Sequence, residues 1–237
     1  MRKMYSLIKE LYKIGLVLFL AIYLLLIFFQ FQNLDTKRDL SDHYVLEGVE
    51  ETGAINLVTS VLYDYRSFDT LGEATVILTA AVTLSFLVSV RKKPMPVSTK
   101  VTNIDFGNTL IIIPFLAILG FYLIISSHIS PGGGFAGGVI LAIIPVFLTI
   151  KYDIAFSEDK FKPSHQSLLE GIGAIGFIML GLIGIFAGSN FLANGQSNFG
   201  TGSPGELFSA GMIPFLNLMI GIKVGAGLAI IFHSLIK

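Results

Sequence analysis

The chain alternates between long apolar runs and short polar connections. Apolar residues fill about 11–31, 71–90, 109–125, 135–150, 167–187 and 212–236 with almost no charge. A helix rises 1.5 Å per residue, so runs of this length are what a crossing of the ~30 Å hydrocarbon core requires. The expected fold is an all-α integral membrane protein of about six transmembrane helices. The connection 92–108 is polar and carries Pro94 and Pro96, which makes it the best module boundary. It separates a two-span module, 1–98, from a four-span module, 99–237. Residues 33–51 are polar and mostly acidic, and Gly53 breaks them off. Residues 54–64 are apolar but too short to span, and read as an interfacial or re-entrant helix.

Composition agrees with the pattern. Over half of the residues are hydrophobic and only 14% are charged. Formal net charge is +0, which gives no footing for nucleic acid. There is no cysteine, so disulfides, cysteine-ligated zinc and iron–sulfur clusters held by this chain are excluded. The four histidines are far apart in sequence, and no compact metal motif exists. Near the N-terminus, Arg2, Lys3, Lys9 and Lys13 precede the first apolar run, and Gln30-Phe31-Gln32-Asn33 follows it. No small-residue cleavage pattern is present, so this reads as an uncleaved first span and not as a secretion signal.

Charge also orients the chain. If the N-terminus is cytoplasmic, twelve of the 16 Lys and Arg fall on that side. Only Lys37, Arg38 and Arg66 fall on the other, and Lys223 lies inside the last span. Basic residues are retained on the cytoplasmic side, so both termini are expected there, in the plasma membrane.

Three constellations stand out. The first is Tyr63-Asp64-Tyr65-Arg66-Ser67-Phe68-Asp69-Thr70-Leu71-Gly72-Glu73, which runs straight into the second span. On a helix, Arg66, Asp69 and Glu73 share a face. Charge entering an apolar span must pair or line water, so Glu73, Asp69, Arg66 and Asp64 are candidate ion-path residues. Two adjacent carboxylates can hold a proton or a cation between them, and Arg66 opposes this by favouring ionisation. The structural alternative is a capping box of Thr70 and Glu73 that merely starts the helix.

The second is Lys223, near the middle of the last span between Gly221 and Gly225. A midspan lysine costs a few kcal/mol on insertion scales, so it is expected to face a carboxylate, a carbonyl or water. The glycines allow another helix close. The alternative is a lysine pairing structurally with a neighbouring subunit. The third is the turn His128-Ile129-Ser130-Pro131-Gly132-Gly133-Gly134-Phe135-Ala136-Gly137-Gly138. It lacks Gly-Lys-Ser/Thr and a preceding strand, so it is not a phosphate loop. His128 is a candidate titrating site, or equally a hydrogen-bonded structural histidine. Its distant counterpart His233 falls at the opposite membrane face, so one metal cannot use both. Pro114 and Pro145 each free a carbonyl in midspan. Ser167-Leu168-Leu169-Glu170 reads as a capping box at the start of the fifth span.

Two segments resemble members of the Mrp-type multisubunit cation/proton antiporter family. Glu50-Glu51-Thr52-Gly53 with Asp64 to Glu73 is similar to the C-terminal segment of the family's large subunit. In archaeal membrane-bound hydrogenases the same segment occurs as a separate small subunit. His128 to Gly138, with Gly221-Ile222-Lys223-Val224-Gly225-Ala226-Gly227-Leu228, resembles the four-span MnhB subunit of the antiporters. The family usually has Gly before the histidine, where Ser127 stands here. The resemblance implies a fusion of two neighbouring subunits. Pro131, Gly132, Gly133, Gly134, Gly137, Gly138, Gly221 and Gly225 would be its structural motif. It implies part of an ion path for Na+ and H+, with no cofactor bound by the chain itself. Other antiporter-type membrane subunits would be its partners, and a hydrogenase-like redox module would join them where the assembly is the ion module of a hydrogenase or sulfur-reducing complex. The competing readings are a stand-alone solute transporter, which usually shows internal repeats and more spans, and a sealing subunit that carries no ion.

Overall fold

The computed structural model describes residues 2–32, 39–89, 109–194 and 200–236. Every regular element in them is helical. The chain forms two compact units, Met1–Asp42 and His43–Lys237. The first holds α1 (Arg2–Gln32), whose apolar side chains are exposed on all sides. A helix apolar all round is built for hydrocarbon or for other helices. The connection 92–108, and with it the boundary between residues 98 and 99, lies outside the described residues, as do Lys37 and Arg38.

The acidic stretch is not the irregular connection its polarity suggests. It forms α2 (Asp39–Thr52), which places Asp39 and Asp42 in the first turn, where carboxylates favour the positive end of the helix dipole. Gly53 ends it at φ +74°, a conformation open to glycine. The short apolar stretch is α3 (Leu57–Ser60), continued by a single π-helical turn, Val61–Tyr65. There the Arg66 amide reaches back five residues to the Val61 carbonyl at 2.8 Å.

The spanning helices follow: α4 (Ser67–Ser89), α5 (Thr109–Ile125), α6 (Gly134–Lys151), α8 (Pro163–Phe186) and α9 (Ile213–Ile236), with the seven-residue α7 (Ile154–Lys160) between α6 and α8. Five of the described helices, α1 among them, have the length and apolarity to cross a membrane. Helix α5 is apolar too but has 17 residues. The protein is an all-α, multi-pass membrane protein.

Helix α9 is the axis of the second unit. Leu216, Ile220 and Val224, one turn apart, are fully buried, and Tyr63, Ala74 and Phe177 close around them. Glycines set the spacing. A Cβ on Gly138 would stand 2.9 Å from the Gly221 carbonyl of α9, and one on Gly137 would stand 2.5 Å from the Gly120 carbonyl of α5. Only bare backbones pack this closely. Pro114 and Pro145 both lie inside their helices.

Candidate functional site

The Pro-Gly-Gly-Gly turn is held from two sides. Gly133, at φ +149°, turns the chain into α6, and its amide donates to the Leu123 carbonyl at 3.0 Å. The next amide, Gly134, is one of the orphan donors of a helix start. The side chain of Asn217, wholly buried on α9, accepts from it at 2.8 Å. On the other side, Asn56 staples the entry of α3 to the preceding turn. Its Nδ2 donates to the carbonyls of Ser127 (2.8 Å) and Ser130 (3.0 Å), while its Oδ1 caps α3. The segment that resembles the large antiporter subunit and the one that resembles MnhB therefore meet through hydrogen bonds.

His128 sits in that turn with no exposure. Its Nε2–H donates to the Leu207 carbonyl at 3.1 Å, and its Nδ1 is buried without a partner. Burial pulls its pKa below the ordinary histidine value. The ring is thus neutral and built into the packing, the structural alternative considered above. His128 and His233 stand at opposite ends of α9, as expected.

The charged stretch differs from its expected geometry. Helix α4 begins at Ser67, so Thr70 is not a cap, and no Thr70–Glu73 box forms. The Thr70 hydroxyl instead donates to the Leu62 carbonyl at 2.7 Å, a group that the π turn leaves for it. Arg66 is the residue that ends the π turn, and does not share a helix face with Asp69 and Glu73. It forms an ion pair with Asp69, both side chains more than half exposed. Exposed pairs of this kind stabilise by at most about 1 kcal/mol. Asp64 is partly buried, and desolvation raises its pKa, against a hydrogen bond from Asn194 that lowers it. Burial, reinforced by the charge of Glu73, likewise raises the pKa of the buried phenol Tyr63. Glu73 itself is exposed on α4 and faces out of this chain.

Lys223 is 1% exposed. It does not meet lipid. Its ammonium donates to the Ala74 carbonyl, next to Glu73. The carboxylate whose charge acts on it belongs to Glu170 of α8. Lys223 therefore lies where α4, α8 and α9 join, and it reaches the turn that carries Glu73.

Glu170 is the residue that sequence reasoning misplaced. Helix α8 starts at Pro163 after Lys162, so Ser167 and Glu170 lie well inside it and cannot be its capping box. Glu170 is 4% exposed, and its Oε1 has no hydrogen-bond partner. One turn earlier is a second group that went unnoticed. The Gln166 amide donates to the Phe161 carbonyl (3.0 Å) and to His233 Nδ1 (3.2 Å). His233 Nε2 and the Ser157 hydroxyl are 3.0 Å apart, and that hydroxyl donates to the Pro145 carbonyl at 2.9 Å. The bonds fix His233 as the neutral Nε2–H tautomer. Two isolated signals in the sequence, a midspan acid and a C-terminal histidine, pointed here; only helix register joins them. Among the described residues no group of acidic and histidine side chains is placed to hold a metal ion.

A bundle with a buried lysine and a buried glutamate under its apolar surface is a multi-pass membrane subunit with polar groups in its core. The profile of a domain related to the MnhB subunit of Na+/H+ antiporters matches residues 108–230. The profile of MbhE, the E subunit of membrane-bound hydrogenase (MBH), matches 10–104. An uncharacterized protein of Methanocaldococcus jannaschii is 34% identical over 200 residues, 73% of this chain and 74% of its own length. A probable K+/H+ antiporter A/B subunit of Rhizobium meliloti is 25% identical over 65% of this chain, which spans only 18% of that protein. Among solved structures, a chain of the membrane-bound sulfane sulfur reductase, an archaeal respiratory membrane complex, superposes with a TM-score of 0.73 at 30% identity, over 96% of this chain and 99% of that one. The chain belongs to the family of the MnhB-related antiporter domain. It is a membrane subunit of the Mrp type.

Proposed function

We propose that this chain contributes part of a path for Na+ and H+ where it meets other membrane subunits of its complex. The observation that carries the reading is the position of Lys223. It is buried in midspan with its ammonium on the Ala74 carbonyl, while the adjacent Glu73 faces out of the chain. A membrane-centre lysine is seldom kept without use. A carboxylate at the mouth of the stretch, facing a neighbouring subunit, is an oxygen ligand suited to sodium or a proton. In this reading Asp64 and Asp69 line the approach, with Arg66 tempering Asp69, and His128 holds the turn beside it. Residues 1–98 act as the C-terminal segment of the large antiporter subunit and 99–237 as its MnhB neighbour, with both termini cytoplasmic.

The likeness to a respiratory sulfur reductase chain along almost its whole length supports the ion module of a redox-driven complex over a free antiporter. A hydrogenase-like redox module is then the expected partner. The test uses the whole complex in proteoliposomes. Glu73→Gln and Lys223→Met should each cut cation-coupled proton movement steeply with subunit stoichiometry unchanged. Wild-type rates across the pH range in both would leave a sealing subunit and sink the ion-path reading.

A further inference from the structure

Five buried side-chain atoms among the described residues lack a hydrogen-bond partner. Two of them, Gln166 Oε1 and Glu170 Oε1, lie one turn apart on the same face of α8. Both residues are at least nine-tenths buried. An ionised carboxylate in that position without hydrogen bonds costs several kcal/mol, unless a proton or a counter-charge relieves it. Lys223 supplies the counter-charge: the two groups act on each other, though no direct hydrogen bond joins them. The Lys223 ammonium has three donors, and one is directed to the Ala74 carbonyl.

The seam is shaped around these two side chains. A Cβ on Gly227 would lie 2.7 Å from Glu170 Oε1, and one on Gly173 would lie 2.7 Å from Lys223 Cβ. Each polar residue is thus seated over a glycine of the opposite helix. Glycine costs about 1 kcal/mol in a helix interior, and here each makes room for an ionisable group.

We propose that Glu170 is a proton-carrying residue of the path, paired with Lys223. This rests on the ion-path reading of Lys223 given above. In the exchange step the ammonium gives one proton to the carboxylate, leaving a neutral amine and a neutral acid. The pair carries no net charge before or after, so the step moves a proton without placing an unbalanced charge in the apolar seam. The acid then releases its proton past Gln166 towards the end of α8, and Lys223 is reprotonated from the Ala74 side.

The experiment compares Glu170→Gln, Glu170→Asp and Lys223→Met in the intact complex, reconstituted in proteoliposomes. Each is read for subunit stoichiometry, cation-coupled proton movement and the infrared carbonyl band of protonated carboxyl groups. Glu170→Gln should assemble and slow proton movement by about a hundredfold, the scale of a lost proton-transfer group. It should also remove a band that responds to pH in the wild-type complex. Glu170→Asp, which keeps the acid, should assemble, restore part of the rate and shift the band. A full rate in Glu170→Gln with Lys223→Met inactive overturns the role of Glu170 and leaves the Lys223 path standing. Full rates in both overturn the ion-path reading itself. If Glu170→Gln fails to assemble, a Glu170→Asp complex whose carboxyl band matches the wild type overturns the proposal.

Discussion

A single methyl group on Gly138 should loosen the seam between α6 and α9. Its Cβ would meet the Gly221 carbonyl and Val224 Cβ at 2.9 Å and the Gly225 amide at 3.1 Å. Ordinary contacts begin near ~3.5 Å, so the helices must part by roughly 0.6 Å. Two of the three neighbours are backbone, and side-chain rotation cannot relieve them. Overpacking costs about 1–3 kcal/mol, while replacing glycine by alanine within a helix returns about 1 kcal/mol. The net expectation is a loss of about 1–2 kcal/mol. Gly225→Ala, whose Cβ would meet nothing nearer than 3.3 Å, should be close to neutral. Gly171→Ala, with nothing within 4 Å, should gain up to about 1 kcal/mol. The chain has no native cysteine, so Ala142→Cys, at a buried site of α6, reports opening through its rate of thiol labelling. Labelling should rise about five- to thirty-fold on adding Gly138→Ala. Equal labelling for Gly138→Ala and Gly171→Ala would refute the packing argument.

Asn217→Ala orphans the Gly134 amide in the core, for a loss of about 1–3 kcal/mol; Asn217→Asp keeps an acceptor and should lose less, as measured by the same labelling. His128 carries a pH prediction of definite sign. Burial holds its folded pKa below the ordinary value of about 6.5, so the unfolded state takes up the proton first. Stability should be full above that pH and fall as pH drops below it. His128→Gln keeps a donor for the Leu207 carbonyl and cannot titrate, so the acid-side fall in melting temperature should be smaller in that variant; an unchanged fall would place its origin elsewhere.

What could be read in the chain beforehand was local. Length and apolarity are properties of a segment, and they marked the spanning helices and the oddity of Lys223 at midspan. The Pro-Gly-Gly-Gly turn was equally visible, because only glycine tolerates φ +149° at Gly133. What escaped was decided by distant partners. Thr70 and Glu73 have the spacing of a capping box, yet the π turn at Val61–Tyr65 offers Thr70 the Leu62 carbonyl. Ser167 and Glu170 have the same spacing, but Pro163 starts α8 a turn earlier, and Glu170 falls inside the bundle. A motif of two polar residues cannot report where the preceding proline will begin the helix.

The register of α8 against α9 then restricts where a proton could go. The helices run antiparallel: Gln166 meets His233, Glu170 faces Gly227, Gly173 faces Lys223 and Gly176 faces Met219. Polar groups occupy only the half of the seam nearest the start of α8. Beyond Lys223 the bundle core closes with Phe177, Ile220, Leu216 and Tyr63. Asn217, the polar side chain among them, already serves the Gly134 amide and the Ile213 carbonyl. A proton on Lys223 therefore has no polar continuation straight along α9. Its ammonium turns sideways instead, to the Ala74 carbonyl of α4, one residue from Glu73 on that helix's outward surface. If Lys223 and Glu170 carry protons, the path must bend out of this chain at α4 and finish on another subunit. The chain would then conduct only inside the assembled complex, and reconstituted alone it should move no ions.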